Sequence, residues 1–334
     1  MELKEIGEFG LIDRISENIV TYGKNLVKGV GDDCSVFMLD KNIYGLITTD
    51  LLVENVHFLT GKITPEDLGY KSLAVNLSDI AAMGGVPHDA YISIAIPEKF
   101  TVEYLDRFYS GIKKLAGKFS VNISGGDTTN SKNDFIICFT VYGTADNPIY
   151  RSGSKAGDKI FTTGFLGDSA AGLNIILNDL KLHEKITRYL IKAHNHPEPK
   201  IMEGRFIAEN SFASSMIDLS DGLASDLKHI CSQSMTGAVI YEEKIPVSRE
   251  FNKFLEATKS ENFHFSFTGG EDYQLLFTVP EKDSGTVKNS YFEKFGTEIF
   301  EIGEIVKDEG IVFVSKNGDE RPLTGKGYDH FKKK

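Results

Sequence analysis

The sequence has few cysteines and no long apolar run. Its three cysteines, Cys34, Cys138 and Cys231, are far apart in a chain of 334 residues, and an odd number at such spacings argues against a disulfide framework or a zinc site. No stretch approaches the ~20 apolar residues that a membrane helix needs. The charged N-terminus, MELKEIGEFGLIDRI, lacks the apolar segment of a signal peptide. These absences predict a protein of the reducing cytoplasm.

Positive charge is also in deficit. The chain has 37 Lys and Arg residues against 48 Asp and Glu residues, which gives a formal net charge of −11. Such an acidic surface argues against nucleic acid or an anionic membrane as the main partner. If the protein handles phosphates, the cations must therefore come from bound metal or from a few well-placed Arg and Lys side chains.

Two familiar nucleotide-binding motifs are missing. The sequence has no GxxxxGK[ST] segment, which excludes a P-loop enzyme, and no HRD…DFG set, which excludes a protein kinase. With 41% hydrophobic and 25% charged residues, the chain can nevertheless bury substantial cores. Its length fits two domains better than one, at ~100–200 residues per domain.

Strand and helix patterns alternate along the chain in two series. The first series has predicted strands at 43–49, 90–96 and 135–143 and predicted helices at 65–83 and 102–117. The second has strands at 158–164, 273–279, 298–305 and 311–315 and helices at 167–179, 199–209, 221–233 and 286–295. His194-Asn195-His196-Pro197 is interpreted as the lead-in to the helix near 199. Because 144–157 is rich in turn residues, we predict a mixed α/β fold with an N-terminal domain over 1–147 and a C-terminal domain over 148–334.

The most informative pattern is a set of aspartates beside Gly, Ser or Thr at the ends of predicted elements. Five separate segments carry it, through Asp33, Asp50, Asp79, Asp127 and Asp218. One such aspartate alone usually forms a turn or caps a helix. Carboxylates that converge repel one another unless a hard cation such as Mg²⁺ neutralises them and shares them with substrate phosphates. The five segments together predict a cradle of several Mg²⁺ ions for a nucleoside triphosphate.

Other features are candidates for ligand contacts, each with a structural alternative. Arg151 could bind a phosphate with two N–H groups or be an ordinary surface arginine, and GFLG at 164–167 could approach a phosphate or be a tight turn. His57 follows the TTD strand closely enough to face the same cavity, or else is a packed structural histidine. For Glu271 in GGEDY and Tyr328 in GKGYDHF, the alternatives are an acidic turn and a frayed terminus.

Nine segments occur in the order found in one enzyme family. They are GEFGLIDRI, GDDCSV, TTDLLVENVHF, GYKSLAVNLSDIAAMGG, GGDTT, RSGSKAGD, TGFLGDSAAGL, IDLSDGL and TGGEDYQLLF, and the match runs from about residue 7 to residue 331. In these motifs the chain resembles the thiamine-monophosphate kinase family, of the aminoimidazole-ribonucleotide synthetase-like superfamily. The resemblance implies that superfamily's two-domain α/β fold and a homodimer whose N-terminal domains pair through their sheets. It also implies direct transfer of the γ-phosphoryl group of ATP onto thiamine monophosphate, giving thiamine diphosphate and ADP.

The same resemblance implies a role for individual residues. The residues implied to hold Mg²⁺ are Asp33, Thr48, Thr49, Asp50, Asp79, Asp127, Asp218 and Asp221. The residues implied to contact ATP are Gly126, Asp127, Arg151, Ser220 and Tyr109. The residues implied to line the thiamine-phosphate site are His57, Glu271 and Tyr328. Asp79, Asp218 and Arg151 are expected to act most directly in catalysis.

Two other kinds of function stay open at this point. Another enzyme of the superfamily, of the purine-biosynthesis type, would use ATP on an amide oxygen, but the His57 segment and GGEDY favour the thiamine enzyme. Selenophosphate synthesis and hydrogenase maturation need a reactive Cys in an N-terminal loop or at the C-terminus, whereas the first Cys here is Cys34 and the tail is DHFKKK. A non-catalytic nucleotide sensor is the second kind, although it has less need of so many acidic ligands.

Overall fold

The structure is a computed structural model that describes residues 2–19, 22–323 and 330–331. Its N-terminal half contains α1 (Leu3–Ser16), β1 (Leu26–Lys28), β2 (Ser35–Asp40), β3 (Ile43–Val53), α2 (Pro65–Ala82), β4 (Val86–Pro97), α3 (Val102–Phe119), β5 (Asn122–Ser131) and β6 (Ile136–Ala145). Its C-terminal half contains β7 (Lys159–Thr162), α4 (Asp168–Asn178), α5 (Glu184–Asn195), α6 (Ile201–Glu209), β8 (Ser215–Asp218), α7 (Leu223–Ser234), β9 (Gly237–Tyr241), α8 (Arg249–Thr258), α9 (Phe263–Ser266), β10 (Leu275–Val279), α10 (Ser284–Phe295), β11 (Phe300–Val306), β12 (Gly310–Val314) and β13 (Glu320–Pro322).

The strands of the N-terminal half form one six-stranded sheet in the order β1-β2-β3-β6-β4-β5. Neighbouring strands are antiparallel except β4 and β5, which are parallel. Along β3 the side chains alternate between a buried face, with Leu46 and Leu52, and an exposed face, with Ile47 and Leu51. Helix α2 packs against β3 and β6, so the face opposite α2 stays exposed in the single chain.

Helix α2 is the central element of the molecule. Its start has clear causes, since Thr64 Oγ1 accepts a hydrogen bond from the Asp67 N–H at 3.1 Å and Pro65 occupies the first turn. A Cβ on Gly69 would lie 1.9 Å from the carbonyl oxygen of Phe108. Only glycine therefore allows α3 to approach α2 this closely.

The C-terminal half forms a seven-stranded sheet in the order β13-β12-β9-β11-β7-β10-β8. All neighbours are antiparallel except β9 and β12. This half also packs on α2, because a Cβ on Gly204 of α6 would lie 2.1 Å from the carbonyl oxygen of Ala81. The two halves share one hydrophobic core that includes Leu77 from α2 and Phe277 from β10. Helix α2 is thus buried between the two sheets, which explains why almost its whole surface is apolar or inaccessible.

The structure confirms the predicted mixed α/β organisation, and every predicted helix or strand overlaps an observed one of the same type. Two differences are informative. GGDTT, whose Asp127 was predicted to lie at the end of an element, lies inside β5, because pairing with β4 supplies backbone hydrogen bonds whatever the side chains are. His194 belongs to the unpredicted α5 and is not a lead-in, because it continues the buried stripe of Ile186 and Leu190 at helical spacing.

The predicted domain boundary at 147/148 falls in the segment between the last strand of the first sheet and the first strand of the second. Among the described residues, none of the helices has both the length and the apolar character that crossing a bilayer requires.

Candidate active site

Three carboxylates from distant parts of the sequence converge at the junction of the two halves. Asp33 lies in the turn before β2, Asp79 lies near the end of α2, and Asp218 ends β8. One carboxylate oxygen from each lies within 4.8 Å of the other two. We call Asp33, Asp79 and Asp218 the acid cluster. Asp33 and Asp218 are buried and Asp79 is half-buried.

Neighbouring polar groups hold these carboxylates in place. The Thr48 hydroxyl donates a very short hydrogen bond to Asp79, and the Ser78 hydroxyl donates to Asp218 Oδ2 at 2.6 Å. Asp50 lies on the same face of β3 as Thr48, and its backbone N–H donates to Asn76 Oδ1 of α2 at 3.1 Å. Strand β3 and helix α2 therefore fix the cluster from one side and β8 from the other.

The acid cluster carries more negative charge than the surrounding protein compensates. Burial, followed by repulsion from Asp33, raises the pKa of Asp218 to about 8 and that of Asp50 to about 6. Burial and then Asp50 raise the pKa of Asp79 well above its usual value, and burial raises that of Asp33. Asp33 Oδ2 is buried and has no hydrogen-bond partner among the described residues. Converging oxygens, raised pKa values and an orphaned acceptor fit a hard divalent cation.

Arg151 is the main cation beside the acid cluster. Its Nη2 lies 2.5 Å and its Nε lies 3.2 Å from Asp33 Oδ1, and its backbone N–H donates to Asp32 Oδ1 at 3.2 Å. Burial alone would lower the pKa of Arg151, but Asp33 raises it above the usual value. The guanidinium is therefore fixed and charged where the two sheets meet.

The loop after β8 is organised by Asp226. Its carboxylate accepts hydrogen bonds from the backbone N–H groups of Asp221 at 3.2 Å and Gly222 at 3.0 Å. The carbonyl oxygen of Ser220 accepts from the Glu271 N–H at 2.7 Å. The structure thus brings Ser220 and Asp221 beside Asp218 and joins their loop to GGEDY.

A second charged group lies about two turns nearer the start of α2 than the acid cluster. Glu271 contacts Lys71, whose side chain is only 1% exposed, and His194 of α5. We call Lys71, His194 and Glu271 the Lys71 triad. His57 is close enough that its charge influences the pKa of Glu271, and its Nε2 lies 3.4 Å from His330 Nε2. His57 and Glu271 therefore lie in the same region of the structure, and their contact with thiamine phosphate stays a prediction.

Lys71, His194, Ser78 and Asp226 were not identified from the sequence. Lys71 and Ser78 belong to the GYKSLAVNLSDIAAMGG motif, which was recognised as a whole and not residue by residue. A lysine within a helix that is otherwise buried on every side was the available signal, because a buried lysine needs a charged partner.

Other predicted site residues lie away from the acid cluster. Thr49 follows Thr48 in the same strand, so its side chain takes the opposite face, where its hydroxyl donates to the Phe139 carbonyl oxygen at 2.9 Å. Gly126 and Asp127 lie on the exposed edge strand β5. Gly126 has φ +153° and a Cβ there would lie 1.7 Å from the Ile92 carbonyl oxygen, so the position requires glycine. Tyr109 is half-buried on α3 against Phe108.

Tyr328 lies outside the described residues, so its predicted contact with the substrate stays a prediction.

Comparison with known proteins identifies similar chains over nearly the full length. Residues 31–145 match the AIR synthase related protein, N-terminal domain, and residues 155–316 match the corresponding C-terminal domain. The thiamine-monophosphate kinase of Aquifex aeolicus (strain VF5) is 37% identical over 99% of this chain and 100% of its own. That of Escherichia coli (strain K12) is 38% identical over 97% of this chain and 98% of its own.

A solved structure has the same fold. AaThiL complexed with AMPPCP and TMP superposes with a TM-score of 0.87 at 34% identity and covers 99% of both chains. The similarity therefore includes both halves and the junction between them.

Proposed function

Because this chain belongs to the thiamine-monophosphate kinase family, we propose that it transfers the γ-phosphoryl group of ATP to the phosphate of thiamine monophosphate, giving thiamine diphosphate and ADP. The observation that carries the proposal is the acid cluster, whose carboxylate oxygens lie within 4.8 Å of one another at the junction of the two halves. A relative that is 37% identical over nearly the whole chain supports it, as does the complex of AaThiL with AMPPCP, an analogue of ATP, and TMP.

We propose that several Mg²⁺ ions bind at the acid cluster. Asp33, Asp79 and Asp218 would hold them, with Asp50 and the Thr48 hydroxyl beside these three. Asp221 lies in the loop after β8, beside Asp218, whereas Thr49 and Asp127 enter the proposal through the family resemblance alone. When bound, Mg²⁺ supplies the positive charge that offsets repulsion between the two phosphates.

The residues of the chain then mainly bind and orient. The attacking group is a phosphate oxygen that is already ionised near neutral pH, so no strong general base is needed. Arg151 stays charged and is aimed by Asp33, which suits it to balance charge on the transferred phosphoryl group. Ser220, Gly126, Asp127 and Tyr109 are proposed to contact ATP, and His57, Glu271 and Tyr328 are proposed to line the thiamine-phosphate site.

We also propose that the chain forms a homodimer through the exposed face of the N-terminal sheet. Leu51 is 53% and Tyr91 is 46% exposed there, and Ile47 lies on the same face of β3 as Leu51. A contiguous apolar sheet face fits a second copy of the same surface. Wild-type protein should sediment at about twice 37.0 kDa, and Leu51→Asp should shift it toward the monomer. Leu177→Asp, at an exposed leucine of α4, is the matched control.

The three cysteines are free thiols, of which Cys34 and Cys231 are buried. This state supports the proposed reducing compartment, the cytoplasm.

One assay tests the proposed activity. Purified protein is incubated with ATP, Mg²⁺ and thiamine monophosphate, and in parallel with free thiamine or with the substrates of purine-type synthetases. We expect thiamine diphosphate and ADP in equal amounts from thiamine monophosphate only. ATP binding without product would favour a nucleotide sensor, and turnover of a purine intermediate would favour another enzyme of the superfamily.

A further inference from the structure

A buried lysine occupies the junction between the two halves beside the proposed substrate site. The Nζ atom of Lys71 lies 3.1 Å from each carboxylate oxygen of Glu271 and 3.4 Å from Nε2 of His194. Lys71 comes from α2 in the N-terminal half, whereas His194 and Glu271 come from the C-terminal half. The contact therefore joins the two halves of the molecule.

The chemistry of these groups determines which atoms donate. An ammonium group can only donate hydrogen bonds, so Nε2 of His194 must be the acceptor and Nδ1 must carry the proton. Nδ1 lies 3.2 Å from Glu271 Oε2 and 3.1 Å from Ser169 Oγ. Burial, followed by the charge of Lys71, lowers the pKa of His194 to about 4, so the imidazole is neutral. Glu271 therefore receives donors from two side chains that cannot reverse their roles.

The backbone of Glu271 is fixed as well. Its φ is +65°, which is unusual for a residue other than glycine. Its N–H donates to the Ser220 carbonyl oxygen at 2.7 Å, and a Cβ on the preceding Gly270 would lie 2.3 Å from that same oxygen. The main chain is thereby tied to the loop that follows Asp218, and Lys71 determines the direction of the carboxylate. About 29% of the Glu271 side chain remains exposed for a ligand.

We infer that Lys71 is a positioning residue that, together with His194, aims the Glu271 carboxylate at the cationic thiamine end of the acceptor substrate. The inference rests on the proposed function and assigns Lys71 to recognition of the acceptor, not of ATP. An ionised carboxylate is complementary to the positively charged thiazolium ring of thiamine phosphates. Lys71 balances the charge of Glu271 from within the protein and holds both of its carboxylate oxygens in place.

Steady-state kinetics of Lys71→Met test the inference. Because a buried charge loses its partner, we expect KM for thiamine monophosphate to rise about 10–100-fold, while KM for ATP stays within about 2-fold. The matched control is Lys159→Met, which breaks another lysine–glutamate pair, with Glu304 at 2.8 Å, at the far end of β7. That variant should leave both KM values unchanged.

A double variant separates positioning from other roles. If Lys71 acts through Glu271, adding Lys71→Met to Glu271→Gln should change KM for thiamine monophosphate by less than about 2-fold, because the effects of coupled residues do not add. The double variant leaves neither Lys71 nor Glu271 as a buried charge without its partner. It therefore still tests the inference if Lys71→Met alone fails to fold. An equal rise in KM in both backgrounds, or a rise in KM for ATP, would overturn the inference. A wild-type protein that forms no thiamine diphosphate would instead overturn the proposed function and with it this inference.

Discussion

Two charged clusters lie at the junction of the two halves, and they differ in what balances the charge of their carboxylates. In the acid cluster, three carboxylate oxygens lie within 4.8 Å of one another, and burial raises the pKa of Asp33, Asp79 and Asp218. In the Lys71 triad, the single carboxylate of Glu271 lies 3.1 Å from a buried ammonium. Burial would raise the pKa of Glu271, but Lys71 and His194 lower it overall.

The charge of the Lys71 triad is balanced by residues of the chain, whereas that of the acid cluster fits a bound cation. The Lys71 triad is neutral overall and fully hydrogen-bonded, so it fixes geometry. The acid cluster is destabilising when it is ionised without metal, as expected where stability is given up for function. Helix α2 supplies one side of both groups, through Lys71, Ser78 and Asp79, so the proposed metal site and the proposed acceptor site depend on the same helix.

The largest expected effect comes from removing one charge of the acid cluster. Asp79→Asn or Asp218→Asn should lower kcat by about 10³-fold or more at saturating Mg²⁺, because a proposed metal ligand is lost. The fold should persist, and the metal-free Tm should rise, because repulsion is relieved. The control is Asp308→Asn, at an exposed turn. Near-wild-type kcat in either cluster variant would refute the metal assignment.

Arg151→Lys should have the next largest effect. Lysine keeps the charge but loses the two-nitrogen contact with Asp33, at 2.5 and 3.2 Å. We expect kcat to fall about 10²-fold. The comparison is Arg205→Lys, which alters the exposed Arg205–Glu209 pair on α6 and should leave kcat unchanged. If the two variants were equally active, Arg151 would have no specific role in transfer.

The pH dependence of stability should distinguish the acid cluster from the Lys71 triad. The pKa of Asp218 is about 8 in the folded protein, well above its usual value, so the folded state favours the protonated form. Its contribution to stability is therefore complete at low pH and is lost as pH rises through about 8. We expect the Tm of metal-free protein to fall between about pH 4 and pH 8, which are the pKa values of Asp218 in the unfolded and folded states, and Mg²⁺ to raise Tm more at the alkaline end.

Asp218→Asn supplies the control for this titration, because it should flatten the fall in Tm over the same range. Metal-free wild-type protein whose Tm rose with pH in this range would contradict the raised pKa values.

Sequence patterns predicted the acid cluster better than the Lys71 triad for a physical reason. The aspartates of the acid cluster lie beside small residues at the ends of strands and helices, where a local sequence pattern is visible. The contact of Lys71 with Glu271 joins residues 200 positions apart, and no local pattern in a single sequence reports such a pair. The orientation of Thr49 could have been predicted from the sequence, since consecutive residues of a strand face opposite sides. By contrast, the backbone conformation of Gly126 and the burial of α2 between the two sheets depend on tertiary packing, so local sequence patterns do not predict them.

Ser78→Ala should give the smallest effect, because it removes a single hydrogen bond from α2 to the acid cluster. The Ser78 hydroxyl donates to Asp218 Oδ2 at 2.6 Å, and such a hydrogen bond contributes about 1 kcal/mol, so the Mg²⁺ concentration for half-maximal activity should rise about 5-fold. Ser72→Ala is the matched control, because Ser72 is buried on the same helix but donates only to the Gly69 carbonyl oxygen. Its half-maximal Mg²⁺ concentration should not change. Equal shifts in both variants would mean that α2 supports the site through packing alone and that the hydrogen bond to Asp218 does not orient a metal ligand.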